Sequence, residues 1–260
     1  MDMNIGEITS SVRLTVRSKA VLAGRMAAVK DFFRKNGIRT VYLRDGTAGD
    51  GGAAAARLLR DEFKVIVECN ASAYRLLSKE PPENRENIVL QPVYDIGDSV
   101  AVLRKIVSLL PLRSGPASLH IENAGMICDR KRITKAFKAI MKEVGRKNVK
   151  FTWDCGFVLC DFSENELGYF IQKGSELLFT CPSLVNVDTH LNITLCERMK
   201  GLADGGRGTP DTALADVMNR FMTALSPFQS FGIHARCGAC RYFQKVCAGG
   251  CRAVVMKSFQ

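Results

Sequence analysis

Four thiols, Cys237, Cys240, Cys247 and Cys251, fall within fifteen residues of a 260-residue chain. A further pair, Cys181 and Cys196, is separated by fourteen residues, and Cys155 and Cys160 lie just upstream. Thiolates at this density are soft ligands, and two kinds of centre use them: an iron–sulfur cluster or a tetrahedral zinc ion. A [4Fe-4S] cube takes one thiolate on each iron, from different directions, and so suits cysteines delivered by separate segments better than four from one short loop. Zinc is the simpler competitor, because the paired C-x2-C-x6-C-x3-C spacing lies within the range zinc knuckles use. The other two cysteines, Cys69 and Cys128, follow strand-like runs and read as small buried residues. His120, His190 and His234 are scattered, with no ligand pair at i, i+4, and His120 reads as a core histidine.

Composition bounds the setting of these thiols. Apolar residues make up 47% and charged residues 24% of the chain, which is globular usage, and no low-complexity tract interrupts it. The first residues, MDMNIGEITSSVRLTVR, mix charge into the place where a secretory signal would be apolar, and no run of eighteen apolar residues exists. A cytoplasmic protein without a membrane span is therefore expected, and in a reducing compartment clustered cysteines favour metal over disulfides.

The formal charge of +11 is concentrated. Between Asp129 and Lys150 nine Lys or Arg face two acids, a local excess of +7. Lys131, Lys135, Lys138 and Lys142 recur at helical spacing opposite Ile133, Phe137, Ile140 and Val144, which predicts an amphipathic helix with a cationic outer stripe. Such a stripe reads first as a solvated face and second as a dock for an acidic partner. Nucleic acid is not expected, since no aromatic residues interleave with the lysines.

Elements to position the thiols follow from hydrophobic period. Across the first 154 residues it switches between two and about 3.6. Strands are expected at 11–17, 38–43, 63–69, 87–93, 118–122 and 149–154, with a helix in each of the five gaps. The first helix carries Leu22, Met26, Val29 and Phe33 and stops at Asn36-Gly37. The fourth is capped by Asp98 and presents Val100, Leu103, Ile106, Val107 and Leu110. Alternating strands and helices of this kind make a parallel sheet with right-handed crossovers, an α/β fold of the wound-sheet or open-barrel type, whose chemistry sits at the C-terminal strand ends. After Asp154 the pattern changes, placing a domain boundary there: 1–154 and 155–260. A capping box joins Ser163 and Glu166; extended runs around LLFTC and NITLC suggest a hairpin; ADGGRGTPD reads as a flexible stretch; and 211–225 reads as a helix ahead of the cysteine cluster.

Taken together, DCGFVLC, ENELGYF, the pair Cys181 and Cys196, and the C-x2-C-x6-C-x3-C run resemble the C-terminal half of a radical SAM enzyme with a SPASM domain. The resemblance implies a partial (β/α)6 TIM-like barrel followed by a cysteine-rich domain holding one or two auxiliary [4Fe-4S] clusters, in enzymes that modify peptides or proteins. By family position Cys181, Cys196 and Cys251 would hold one cluster, with Cys160 or Cys155 as its fourth ligand. Cys237, Cys240 and Cys247 would begin a second.

Departures from the family pattern shape the functional expectation. The middle spacing is x6 where x5 is usual, no cysteine follows Cys251, and Leu191 stands where the family carries glycine. The family's C-x3-C-x2-C loop, which binds the cluster that holds S-adenosylmethionine, should follow Arg17, where the chain reads Ser18-Lys19-Ala20; no cysteine precedes Cys69. The Gly-Gly-Glu-Pro that receives the S-adenosylmethionine amino group reads Asp45-Gly46-Thr47-Ala48, and Thr-Asn-Gly reads Cys69-Asn70-Ala71. Asp45 and Asp50 flank a glycine-rich loop that matches neither a P-loop nor a dinucleotide fingerprint. These features predict an iron–sulfur protein that keeps the scaffold without cleaving S-adenosylmethionine: a subunit or scaffold that binds a peptide substrate or relays electrons beside an intact radical SAM enzyme. Two alternatives stand beside it: an active enzyme whose missing loop comes from a partner or an N-terminal extension, and a zinc-stabilised binding module using its basic helix.

Overall fold

In the computed structural model the chain is described over residues 10–16, 19–45, 51–79, 86–110, 117–125, 129–175, 179 and 184–259. Strands and helices alternate through the first part: β1 (Ser11–Val16), α1 (Lys19–Lys35), β2 (Thr40–Asp45), α2 (Gly51–Leu59), β3 (Lys64–Cys69), α3 (Ala71–Leu77), β4 (Ile88–Asp95), α4 (Val100–Leu109), β5 (Ala117–Glu122), α5 (Arg130–Val144) and β6 (Val149–Trp153). Then come α6 (Glu164–Gln172), β7 (Val185–Asp188), β8 (Asn192–Thr194), β9 (Asp204–Arg207), α7 (Leu214–Leu225) and α8 (Arg252–Lys257). The fold is mixed α/β with mostly parallel strands, as the alternation of periods predicts. No helix among the described residues is long and apolar enough to cross a membrane.

The chain forms two compact units, each drawing on residues from both sides of Asp154. One comprises Met1–Cys69, Leu76–Leu90 and Ser183–Phe228. Its sheet runs β3-β2-β1-β7-β8-β9, parallel from β3 to β7 and antiparallel in the β7–β8–β9 meander. Val12, Leu14, Val41, Leu43, Val65 and Val67 alternate into the core, and Met26, Val29, Phe32 and Phe33 of α1 are buried as well. That helix ends as expected: Gly37 takes a positive φ of 65°, and the Asn36 side chain donates to the Phe32 carbonyl at 2.9 Å.

Two expectations in this unit change. The hairpin pairs β7 with β8, so its first arm is VNVD rather than LLFTC, of which only Phe179 lies within the described residues. Its turn is built by Asp188, whose carboxylate accepts from the backbone N–H of His190 (2.8 Å) and of Asn192 (3.0 Å). The glycine-rich stretch is in part a strand, β9, held against β8. Composition pointed to a loop because glycine is a poor strand former. Here close packing requires it, for a Cβ at Gly205 would lie 2.7 Å from Val217 Cγ1 and 3.0 Å from the Ile193 carbonyl.

The second unit comprises Asn70–Arg75, Gln91–Pro182 and Gln229–Gln260. Parallel strands β4, β5 and β6 carry α4 and α5. On α5 the sequence reading holds in detail: Asp129 caps it by accepting from the Lys131 N–H, Ile133, Phe137, Ile140 and Val144 are buried, and the four lysines of the stripe are exposed. The cap of α4 is Ser99, one residue past Asp98, and Val100 is 38% exposed, because a first-turn residue lies at the rim of the apolar face. Phe137, Phe151, Trp153, Phe157, Phe162, Phe170 and Phe179 form one aromatic cluster at the end of β6.

Candidate functional site

The loop leaving β6 is fixed before it reaches its cysteine. Asp154 Oδ1 accepts from the Gly156 N–H at 2.8 Å, and the fully buried Asn123 donates from its amide to the Gly156 carbonyl at 3.0 Å. Phe157 and Val158 then enter the aromatic cluster. Asp161, itself buried, accepts from the Val158 N–H at 2.9 Å and closes a 3-10 turn over Leu159–Asp161. Burial raises the Asp161 carboxyl above its ordinary range; the Val158 N–H and the nearby His234, Arg130 and Arg236 pull it back. Phe162 returns to the cluster, 4.7 Å ring to ring from Phe137. Cys160 is thus an exposed side chain on a turn anchored on both sides.

A second set of cysteines is carried by short turns of the C-terminal knuckle. A 3-10 turn spans Ala235–Ala239, the Cys240 N–H donates to the Cys237 carbonyl at 3.0 Å, and the Phe243 N–H donates to the Cys240 carbonyl at 3.0 Å. Cys247 closes the next turn on the Tyr242 carbonyl (3.2 Å), and Gly249, at φ 77°, passes so close to Phe243 that a Cβ would lie 2.6 Å from its ring. Arg252 locks the knuckle from behind, donating to the carbonyls of Phe231 and of Ala248, the latter at 2.7 Å.

These two pieces of the second unit meet at one cavity of about 660 Å³. Cys160, Cys237, Cys240 and Cys247 line it, beside Phe162 and Phe243. Cys237 and Cys247 are buried, whereas Cys160 and Cys240 are exposed. Burial pushes the Cys247 thiol above its usual range; the N–H groups of Leu159 and Gly249 pull it down, and the neighbouring Cys160 and Cys237 push it up again. The Gly249 N–H donates to Cys247 Sγ at 3.4 Å. Four soft donors and amide hydrogens aimed at sulfur are the features that hold a cluster and tune it. Among the described residues no group of three or more His, Cys, Asp or Glu is gathered closely enough to hold a metal ion.

The remaining predicted ligands are distributed as follows. Cys155, in the turn after β6, and Cys251, in the cap position of α8, are buried in the same unit and are not among the residues lining the cavity. Cys196 follows β8 in the other unit. Cys181 and Cys128 lie outside the described residues, as do Ser18, Gly46, Thr47, Ala48, Asp50 and the side chains of Lys19, Ala20, Leu22 and Asp45. None of the eight described cysteines is in a disulfide. Cys69 ends β3, and burial, with Glu68 adding, pushes its thiol up to about 12, so it stays protonated. His120 is a core residue whose Nδ1 lies 2.9 Å from Thr152 Oγ1.

One polar feature escaped the sequence reading. In the first unit, residues in register across β7, β1, β2 and β3 share one face: Asn186, Arg13 and Tyr42, then Asp188, Thr15, Arg44 and Glu68. Glu68, 4% exposed, accepts from Arg13 Nη2 at 2.6 Å and from Arg44 Nε at 2.9 Å. Burial, with Glu68 adding to it, raises the Tyr42 phenol, while Arg13 acts in the opposite sense. Thr15 and Asn186 line a polar cavity of about 300 Å³, and Thr15 Oγ1 and both amide atoms of Asn186 have no hydrogen-bond partner among the described residues. The signal was present in the strand alternates, the Arg and Thr of SVRLTV and the Glu of KVIVEC, where only the apolar half was read.

No family model and no curated protein matches the sequence. Solved structures of SuiB from Streptococcus suis are similar. SuiB alone matches with a TM-score of 0.51 and 13% identity, over 96% of this chain and 74% of that one. SuiB bound to S-adenosylmethionine matches at 0.49 and 14% identity over 96% and 75%, and SuiB bound to precursor peptide SuiA at 0.48 and 12% over 96% and 73%. At such identities the likeness concerns the fold.

Proposed function

We propose that this chain is an iron–sulfur protein on a radical SAM/SPASM-like scaffold that binds a peptide or protein substrate, or relays electrons, beside an intact radical SAM enzyme. The observation that carries the proposal is the cavity in which Cys160, Cys237, Cys240 and Cys247 come together from a strand-end loop and a terminal knuckle. The fold likeness to SuiB supports the scaffold. A peptide or protein is the substrate class that the sequence resemblance implies, and we extend that class to this chain. A bound cluster would supply one-electron transfer, and the chain's own part is to present thiolates, donate N–H groups to their sulfurs and wall the site with aromatic rings. That the chain works without cleaving S-adenosylmethionine rests on the residues after β1, Ser18-Lys19-Ala20, which stand where the resemblance places the C-x3-C-x2-C loop.

Anaerobic purification followed by iron, sulfide and zinc analysis tests the first part. The expected result is about four irons and four sulfides per cluster; zinc without sulfide would overturn it in favour of a zinc-stabilised module. Incubating the reduced protein with S-adenosylmethionine tests the second part: no 5′-deoxyadenosine is expected, and its formation would establish an active enzyme instead.

A further inference from the structure

We infer that Cys160 is the fourth thiolate of the site formed by Cys237, Cys240 and Cys247, whose cavity it lines. The inference rests on the iron–sulfur reading above and goes beyond it, because the family resemblance would send Cys160, or Cys155, to the set of Cys181, Cys196 and Cys251.

Three observations support the reassignment. Cys160 lines the same cavity as Cys237, Cys240 and Cys247. Val158, Leu159 and Phe162 line that cavity too, so the turn that carries Cys160 faces it as a whole. The turn that carries it is held in place by Asp161 on the Val158 N–H and by Phe157 and Phe162 in the aromatic cluster, so the thiol is presented by a preorganised loop. The competitors fit less well. Cys155 and Cys251 are not among the cavity's lining residues, and Cys251 is 1% exposed at the cap of α8. Glu164 does line the cavity, but its carboxylate is a hard donor beside three soft ones, and soft iron–sulfur sites select thiolate.

The test uses the full chain, prepared without oxygen, as wild type, Cys160→Ala, Cys160→Ser, Cys240→Ala and the Cys160→Ala/Cys240→Ala double variant. Iron and sulfide per chain and the electron paramagnetic resonance spectra of oxidised and reduced protein are read, with far-ultraviolet circular dichroism to show that the fold is kept. Cys160 is exposed, so its replacement leaves the core intact. Cys160→Ala and Cys240→Ala are each expected to remove or alter the same cluster, lowering iron by between one atom and one whole cluster, and the double variant to lose no more than one cluster. Cys160→Ser is expected to retain iron with a changed reduced spectrum, and a small added thiol to restore the Cys160→Ala spectrum. Wild-type iron, sulfide and spectra in Cys160→Ala would overturn the inference while leaving the proposed function standing, as would losses that add to two clusters in the double variant. A wild-type protein without iron and sulfide would overturn both.

Discussion

Replacing Phe162 by alanine removes the ring that pins the Cys160 turn to the core of the second unit. The side chain is 5% exposed, and its ring centroid lies 4.7 Å from that of Phe137, 5.2 Å from Phe179, 5.9 Å from Trp153, 6.1 Å from Phe170 and 6.2 Å from Phe157. A buried phenylalanine truncated in a site that cannot collapse costs about 3–5 kcal/mol, transfer and cavity together. The surrounding rings are held by one another, so little collapse is available, and about 4 kcal/mol is expected. Phe162→Leu, which keeps more of the volume, should lose about 1.5 kcal/mol. Urea unfolding of metal-free protein, followed by near-ultraviolet circular dichroism of the aromatic cluster, reads both. At about 2–4 °C per kcal/mol for a chain of this size, the alanine variant should melt about 8–16 °C lower. A loss below about 1 kcal/mol would mean that the ring is not clamped as described, and the argument that Cys160 sits on a preorganised turn would go with it.

Glu68→Ala leaves the Arg13 and Arg44 guanidinium groups facing each other across a buried position, and because both arginines keep some exposure the loss should sit near about 3 kcal/mol in chemical denaturation; a near-neutral variant would refute the ion-pair account. Leu191 holds a φ of 60° with its side chain buried, so Leu191→Gly, which relieves about 1 kcal/mol of backbone strain, should be at least as stable as Leu191→Ala despite its smaller side chain; a glycine variant clearly weaker than alanine would refute the strain. The exposed Glu62 carboxylate, bonded by Arg34 at 2.6 Å and Lys30 at 2.7 Å, is depressed to about 2, chiefly by those hydrogen bonds. A depressed carboxylate contributes stability above its unfolded value and loses it as pH falls, so this contribution should fade between about pH 4.5 and 2; carboxyl NMR titration should put the Glu62 midpoint near 2, and a midpoint near 4 would refute the bonding.

What could be read from the chain was what nearest neighbours along it decide. Strand and helix periods are local, so the βα alternation, the buried face of α5 and the Ser163–Glu166 box, with Glu166 Oε2 accepting from the Ser163 N–H at 2.7 Å, were visible in advance. β9 was not, because its glycines answer to Val217 and Ile193, which approach only in the folded chain. The polar face of β1–β3 was hidden for a related reason: Arg13, Arg44 and Glu68 each look like an ordinary exposed strand alternate until the parallel register brings them together. The candidate metal site combines both cases. The run from Cys237 to Cys247 is a local spacing and announced itself as a partial ligand set. Which upstream cysteine faces it was not visible, since nothing in the sequence distinguishes Cys160 from Cys155 five residues earlier. The choice between them is made by the turn. Phe157 and Val158 are committed to the aromatic cluster, Asp161 holds the backbone between them and Phe162, and that leaves Cys160 as the loop cysteine whose side chain faces the cavity shared with the knuckle. The proposed reassignment of Cys160 therefore rests on core packing, and a perturbation of the core such as Phe162→Ala is expected to register at the site before it registers anywhere else in the second unit.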